Sequence, residues 1–306
     1  MYEQGTFSPS PVTDCVVFSK IRKILGGRVR LVITGSASIH PDVIKFLRIV
    51  LGVPIIEGYG LAETFAASFI TQPGDYEAGH IGGPTPSVEA KLVDLPDIGY
   101  FSFDVNEKGE YAPRGELCLR GPTLFRGYYK DEERTHQAMD SEGWIHTGDI
   151  FVRLHHNGAF KLIDRKHGVF KLSNGEFVAT GKLELAYGKS KFIDQIFVYG
   201  DPSKSHLVAV VVPDDGYVRG AWAPRLGIER EKSLQELCQI EKLRDDILTD
   251  MELISREDNL PPYEAIRKIY LESQRWTEND ILTSTHKLNR KAARDKYTNI
   301  LGRLYE

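Results

Sequence analysis

RVRLVITGSASIHPDVIKFLRIVLGVPIIEGYG, residues 28–60, decides the fold. RVRLVITG (28–35) is a short β-rich run that ends at Gly35. PDVIKFLRIVLG (41–52) follows, with a proline suited to a first helical turn and Gly52 suited to closing the helix. PIIEGYG (54–60) reads as a second strand that runs into a glycine turn. Strand, helix and strand at this spacing predict a βαβ unit on a parallel sheet. Open α/β sheets place ligands at the carboxyl ends of such strands. GYGLAET (58–64) therefore stands where a site is expected.

Downstream the texture changes. SVEAKLVD (87–94), GELCLRG (115–121) and GAFKLIDR (158–165) are short strand-like runs parted by glycine, proline and charge. After residue 165 two apolar runs, IDQIFVYG (193–200) and HLVAVVVP (206–213), read as buried strands. Residues 213–227 read as a loop, and residues 229–254 as one long, charged, periodic helix. The expected fold class is α/β in three parts: a partial parallel α/β sheet over 1–87, a small β-rich subdomain over 88–164, and a C-terminal α+β domain over 165–306.

Bulk properties narrow the function. A chain of 306 residues suggests about two domains. Hydrophobic content of 41% and charged content of 27% are those of an ordinary soluble globular protein. A net charge of −4 gives no support to a nucleic-acid partner. The three cysteines, Cys15, Cys118 and Cys238, are too scattered for a disulfide framework and suit a reducing compartment. No apolar run approaches the roughly 18 residues of a spanning helix. The start, MYEQGTFSPSPVTD, lacks the basic and apolar regions of a secretory signal. The expectation is a cytoplasmic protein, or one held peripherally on the cytosolic face of an internal membrane.

Within GYGLAET, Tyr59 offers a flat ring for a purine base, and Gly58 and Gly60 let the backbone come close to it. Glu63 could meet a divalent cation beside phosphates, since magnesium is held by one or two carboxylates plus phosphate oxygens. A glycine turn with a packed tyrosine explains this stretch alone equally well. Three further stretches change the balance. GWIHTGDI (143–150) carries Asp149 after a Thr-Gly turn. KLIDRKHGVFKLSNGEFVATGKLE (161–184) carries Asp164, Arg165 and Lys171. ILTSTHKLNR (281–290) carries Lys287.

In this order and at this spacing, the four stretches resemble the adenylate-forming (AMP-binding) enzymes. The nearest resemblance is to the long-chain fatty acid–CoA ligase branch. GELCLRGPTLFRGYYKDEERTHQAMDSEGWIHTGDI (115–150), and the pairing of IDRK with NGEFVATGKLE, are similar to that branch. The resemblance runs from about residue 15 to the end.

It implies a reaction: a fatty acid and ATP form an acyl-adenylate with release of pyrophosphate, and the acyl group passes to coenzyme A, with Mg2+ as the metal. The expected partners are thus ATP, a long-chain fatty acid and CoA. It also implies roles. The GSAS turn with Ser36, and the EGYG turn of Glu57, Gly58, Tyr59 and Gly60, would hold adenine, with Tyr59 stacked on it. Glu63 would ligate magnesium. Asp149 and Arg165 would bind ribose. Lys287 would neutralise charge between the fatty carboxylate and the α-phosphate. His167 falls at the family's hinge, and Lys171 and Gly175 lie on the loop that faces CoA. Simpler roles exist for some of these: Asp149 as a turn residue after Gly148, Arg165 as a surface ion-pair partner, and Lys287 as one of a basic helix with Arg290, Lys291, Arg294 and Lys296.

The chain also departs from the family. Ala62 stands where the family has a threonine whose hydroxyl reaches the α-phosphate, a loss of about 1.5–3 kcal/mol for a hydrogen bond to a charged group. His167 and Gly168 stand where the branch favours Lys and Asp. No Ser/Thr/Gly-rich loop ending in lysine precedes GYGLAET; Gly26-Gly27-Arg28 is the nearest glycine pair. About half of the large domain, with most of the acyl tunnel, is expected to be lacking. YTNILGRLYE (297–306) resembles the family's closing helix. The expected function is therefore a long-chain fatty acid–CoA ligase present as a C-terminal portion, with the remaining N-terminal half as a candidate partner. Two alternatives stand beside it: a non-catalytic remnant that binds nucleotide weakly or binds a protein, and a ligase for another carboxylic acid.

Overall fold

The structure, a computed structural model, describes residues 14–229 and 231–306. The stretch 1–13, most of the segment read for a leader, lies outside the described residues, as do the side chains of Cys15, Val16 and His167. The chain divides into two compact units, Met1–Lys166 and His167–Glu306.

In the first unit, α1 (Ser19–Ile24) precedes β1 (Val32–Thr34), α2 (Pro41–Leu51), β2 (Ile55–Leu61), β3 (Ala66–Ile70) and β4 (Gly83–Pro84). The sheet order is β1-β2-β3-β4. The expected βαβ unit is present: β1 and β2 are parallel, with Thr34 beside Glu57, and α2 is the crossover. His40 caps α2 by accepting from Asp42 N–H, and Gly52 closes it at φ 65°. Ile44, Val50 and Leu51 are buried on one side of α2 and pack with Ile55. Parallel pairing stops at β2, because the chain turns back at 62–65 and both β3 and β4 pair antiparallel.

The same unit holds a second sheet, a meander of β5 (Glu89–Val93), β6 (Arg114–Arg120), β7 (Ile145–Arg153) and β8 (Phe160–Arg165), with α3 (Glu132–Ala138) between β6 and β7. The two sheets share an aromatic core in which Phe69 of β3 packs with Leu117, Leu119, Phe151 and Phe160 of the meander. Large rings at these positions bury much apolar surface where two small sheets meet. Tyr59 packs onto the same cluster.

The second unit begins with a hairpin of β9 (Val169–Lys171) and β10 (Phe177–Ala179), then α4 (Thr180–Tyr187), β11 (Ile193–Gly200), β12 (Leu207–Pro213), α5 (Glu241–Glu257), β13 (Ile266–Leu271) and α6 (Arg290–Leu304). Its sheet has the order β11-β12-β13, with β12 fully buried between helices on both faces. Two sequence expectations change in detail. The helix foreseen over 229–254 is broken: a short turn, Leu234–Leu237, capped by Ser233, precedes α5. The loop foreseen over 213–227 contains helical turns from Asp215 to Arg225, anchored by buried Val218 and by Trp222, whose indole N–H donates to Asp246 at 2.9 Å. Burial of the tryptophan outweighs the weak helix preference of the Gly and Pro around it. No helix among the described residues is long and apolar enough to cross a membrane.

Candidate functional site

Residues far apart in sequence converge around Tyr59. The Tyr59 hydroxyl donates to Asp149 Oδ2 at 2.7 Å, across 90 residues of chain. Its ring sits edge-on to Phe151, with centroids 5.0 Å apart, and to Phe69 at 6.1 Å. Burial, followed by the adjacent Asp149 charge, pushes the phenol well above its ordinary range. Tyr59 therefore remains a proton donor at any physiological pH.

Asp149 lies on β7 opposite Arg165 on β8. Arg165 Nε stands 3.5 Å from Asp149 Oδ1, and the guanidinium is mostly exposed. The Asp149 side chain, midway along the inner strand β7, is buried, 7% exposed. Gly148, at φ 69°, lies just before it in a bulge of β7 against β6. Glu116 holds this bulge: its Oε1 accepts the Gly148 N–H at 3.0 Å, while its Oε2 lies 3.5 Å from Lys166 Nζ. Sequence reasoning passed over Glu116, and a buried glutamate in GELCLRG was the available signal.

The glycine turn is built from close approaches. A Cβ on Gly60 would lie 1.7 Å from the Ala66 carbonyl oxygen, so β2 and β3 meet there only because residue 60 has no side chain. A Cβ on Gly35 would lie 3.1 Å from the Gly58 carbonyl oxygen, which sets the GSAS turn beside EGYG. Ser36 in that turn has φ 70°, and Phe65 and Ala66, just past Thr64, have φ 50° and 113°. Non-glycine residues in the left-handed region carry strain of about 1–3 kcal/mol each, and such strain clusters at functional sites.

Glu57 is buried below Gly58. Its Oε1 accepts the Gly79 N–H at 3.2 Å, and its backbone pairs with Thr71. Burial pushes its carboxyl up to about 7, against the opposing pull of the Gly79 N–H and the Arg48 charge. Glu63 sits past the turn, where its Oε1 accepts from the Tyr128 hydroxyl at 2.6 Å. One carboxylate here fits a magnesium that is otherwise met by phosphate and water. Among the described residues no cluster of three or more His, Cys, Asp or Glu could hold a metal without such help.

The Thr64 hydroxyl is committed inside the turn. It accepts from Leu61 N–H at 2.9 Å and lies within donating distance of the Leu61 and Ala66 carbonyls, and the residue is buried. It does not replace the hydroxyl that Ala62 lacks.

The remaining candidates lie in the second unit. Lys171 ends β9, with its ammonium over the Phe177 ring at 5.1 Å. Gly175, at φ 91°, makes the β9–β10 turn, where its N–H donates to the Leu172 carbonyl. Asn174-Gly175 is a strong hairpin signal that sequence reading did not use. Lys287 is not on the basic helix. It occupies a tight turn in which Thr283 N–H donates to the Lys287 carbonyl at 2.8 Å, and α6 starts afterwards at Arg290 under an Asn289 cap. Arg290 and Lys296 are paired with Glu184 and Asp280. The hinge position, His167, has its side chain outside the described residues.

Comparison with known proteins bears on this geometry. Residues 8–129 match the family model described as AMP-binding enzyme. Over that stretch the chain is similar to the AMP-binding enzymes. It is 41% identical over 300 residues to "Long chain acyl-CoA synthetase 6, peroxisomal" of Arabidopsis thaliana, a match that covers 98% of this chain and 42% of that protein. It is likewise 41% identical over 302 residues to "Long-chain-fatty-acid–CoA ligase 6" of Rattus norvegicus, with 98% and 42% coverage. Among solved structures it resembles the A domain of a carboxylic acid reductase from Segniliparus rugosus in complex with AMP and a co-purified carboxylic acid. The TM-score is 0.79 and the identity 34%, covering 97% of this chain and 42% of that one. The chain thus spans less than half the length of these three proteins.

Proposed function

We propose that this chain is the nucleotide-holding portion of a long-chain fatty acid–CoA ligase. The reaction would join a fatty acid to ATP as an acyl-adenylate and then transfer the acyl group to the thiol of CoA. The observation that carries this is the meeting of Tyr59, Asp149 and Arg165, three residues from separate stretches, at one edge of an aromatic core. Asp149 is an acceptor-only carboxylate suited to ribose hydroxyls, and Arg165 beside it adds donors. Ser36, Glu57, Gly58 and Gly60 would shape the adenine side, with Tyr59 against the base. Glu63 would hold Mg2+. Lys287 would neutralise charge between carboxylate and α-phosphate, and Lys171 and Gly175 would serve the CoA step after movement at His167. The domain division proposed alongside is 1–87, 88–164 and 165–306.

A second reading has its own support. Ala62 offers no hydroxyl, and that of Thr64 is turned inward, so the α-phosphate contact is weakened. A remnant that binds nucleotide without turnover fits that observation. Measuring the half-reactions separately decides between them. The chain is joined to the preceding half of a relative, and adenylation is followed by ATP–pyrophosphate exchange. Under the ligase reading exchange is present, and Lys287→Ala suppresses it by several orders of magnitude. Thioester formation from supplied acyl-adenylate is largely retained in that variant. Absence of exchange in the joined wild type supports the remnant. Equal losses in both steps for Lys287→Ala assign the lysine a structural role.

A further inference from the structure

Glu116 is a buried charge in an apolar row. It lies on β6 with its side chain 6% exposed, and Leu117, Cys118 and Leu119 after it are fully buried. A buried carboxylate is costly unless its oxygens are hydrogen-bonded and its charge is met. Both oxygens are engaged here. Oε1 accepts the Gly148 N–H at 3.0 Å. Oε2 lies 3.5 Å from Lys166 Nζ and 3.5 Å from His146 Nδ1. The charge is felt next door: burial, and then Glu116, push the Cys118 thiol up to about 12.

The amide that Oε1 accepts sits where the ladder is interrupted. Glu116 pairs with Ile150, and Cys118 with His146. One β6 residue, Leu117, therefore stands against three of β7: Thr147, Gly148 and Asp149. A regular antiparallel pair sets one residue opposite one. Extra residues bend the strand and re-aim its side chains, and a buried N–H that leaves the ladder needs another acceptor. The Thr147 hydroxyl serves part of this bulge, donating to the Leu117 carbonyl at 2.7 Å and accepting the Asp149 N–H at 3.1 Å. The Gly148 N–H goes to Glu116 instead. One residue further on is Asp149, whose Oδ2 accepts from the Tyr59 hydroxyl and whose Oδ1 faces Arg165. A side chain of β6 thus fixes the backbone immediately before the site carboxylate.

We propose that Glu116 is the positioning residue for Asp149. By holding the Gly148 N–H it keeps the bulge in the shape that presents the Asp149 carboxylate to the ribose hydroxyls of a nucleotide. The inference rests on the reading of Asp149 as the ribose acceptor, given above. Glu116 acts through Asp149. A leucine or methionine would fill the same buried space without the cost of desolvating a charge, so packing alone gives no reason for a carboxylate here. The bulge supplies one, because its amide needs an oxygen at this place. Lys166 and His146 then offset the charge.

The test uses the full 306-residue chain and two ligands, AMP and 2′,3′-dideoxy-AMP, which lacks both ribose hydroxyls. Affinities are measured by calorimetry. The wild type should bind AMP about tenfold tighter than the dideoxy ligand, as for loss of hydrogen bonds to a charged acceptor. Glu116→Met keeps the volume and removes the acceptor. It should weaken AMP about tenfold and leave the dideoxy ligand within about twofold, so that ribose discrimination disappears. Glu116→Gln, which retains an oxygen for the Gly148 N–H, should stay within about threefold of wild type for AMP. Glu116→Asp keeps the charge but withdraws the oxygen by one methylene; it should act as the methionine does, and serves if that variant misfolds. The proposal is overturned if the methionine and aspartate variants keep wild-type discrimination, if they weaken both ligands equally, or if glutamine behaves as methionine does. Asp149→Ala is measured alongside. Discrimination lost in Asp149→Ala but kept in Glu116→Met sinks the positioning role alone. A wild type that does not discriminate, or AMP binding unchanged in Asp149→Ala, sinks the ribose reading and this inference with it.

Discussion

Tyr59 joins packing to chemistry. Its ring belongs to the aromatic core and its hydroxyl satisfies Asp149. Tyr59→Phe keeps the packing and removes the donor, leaving one oxygen of a buried carboxylate without that partner. The expected cost is about 1–3 kcal/mol in urea unfolding; a change under about 0.5 kcal/mol would mean that Asp149 is already satisfied by other groups. Glu57 yields a pH prediction. Burial raises its carboxyl from 4.5 to about 7, so the folded chain keeps a proton there that the unfolded chain releases at lower pH. Its contribution is fully present below pH 4.5 and is lost as pH rises through 7. Glu57→Gln keeps an oxygen for the Gly79 N–H and removes the titration. The variant should gain stability over wild type on going from pH 5 to pH 8, by on the order of 2–3 kcal/mol. Parallel unfolding curves for the two proteins across that range would contradict it. Neither effect was legible in the sequence. The motifs and the resemblance mark Tyr59 and Asp149 as candidates, but a bond spanning 90 residues exists only once both sheets have formed.

Among the elements, α2 and the strands around it were readable because Pro41 and Gly52 punctuate the helix and the apolar runs are short. The antiparallel return after β2 was not readable. It depends on Thr64 folding its hydroxyl inward and on two residues holding positive φ, and neither leaves a pattern in hydrophobicity. Gly60 tests this element. Gly60→Ala would press a Cβ into the Ala66 carbonyl, so β2 and β3 must part. The expected destabilisation is about 1–3 kcal/mol or more, as for other forced overpacking. Gly220→Ala, with nothing within 4 Å of the added atom, is the control. Equal stabilities for the two variants would show that the 60–66 approach is loose. A bulge at Arg267 of β13 is similarly silent in sequence: IRKIYL reads as a plain strand, and only pairing with β12 exposes the extra residue.

For the molecule as a whole, the resemblance to the AMP-binding enzymes was legible from four ordered motifs, while the first unit leaves apolar side chains exposed at a sheet edge among the described residues. β1 is a three-residue edge strand, and Ile33 on it is 66% exposed. Phe46 on α2 is 56% exposed. Open edges with apolar side chains invite pairing with another chain. Sedimentation should therefore detect self-association of the 306-residue chain that grows with concentration. Ile33→Lys should diminish it without loss of helix or sheet, whereas a strictly monomeric wild type would argue that the edge is adequately protected.

We propose that Tyr59, Asp149 and Arg165 form a nucleotide site in the first unit. Equilibrium titration of the chain with AMP, compared with Asp149→Ala, tests it most directly. Saturable binding to the wild type is expected, weakened about tenfold or more in the variant through loss of the charged acceptor. Binding that is absent in the wild type, or unchanged by Asp149→Ala, would contradict it.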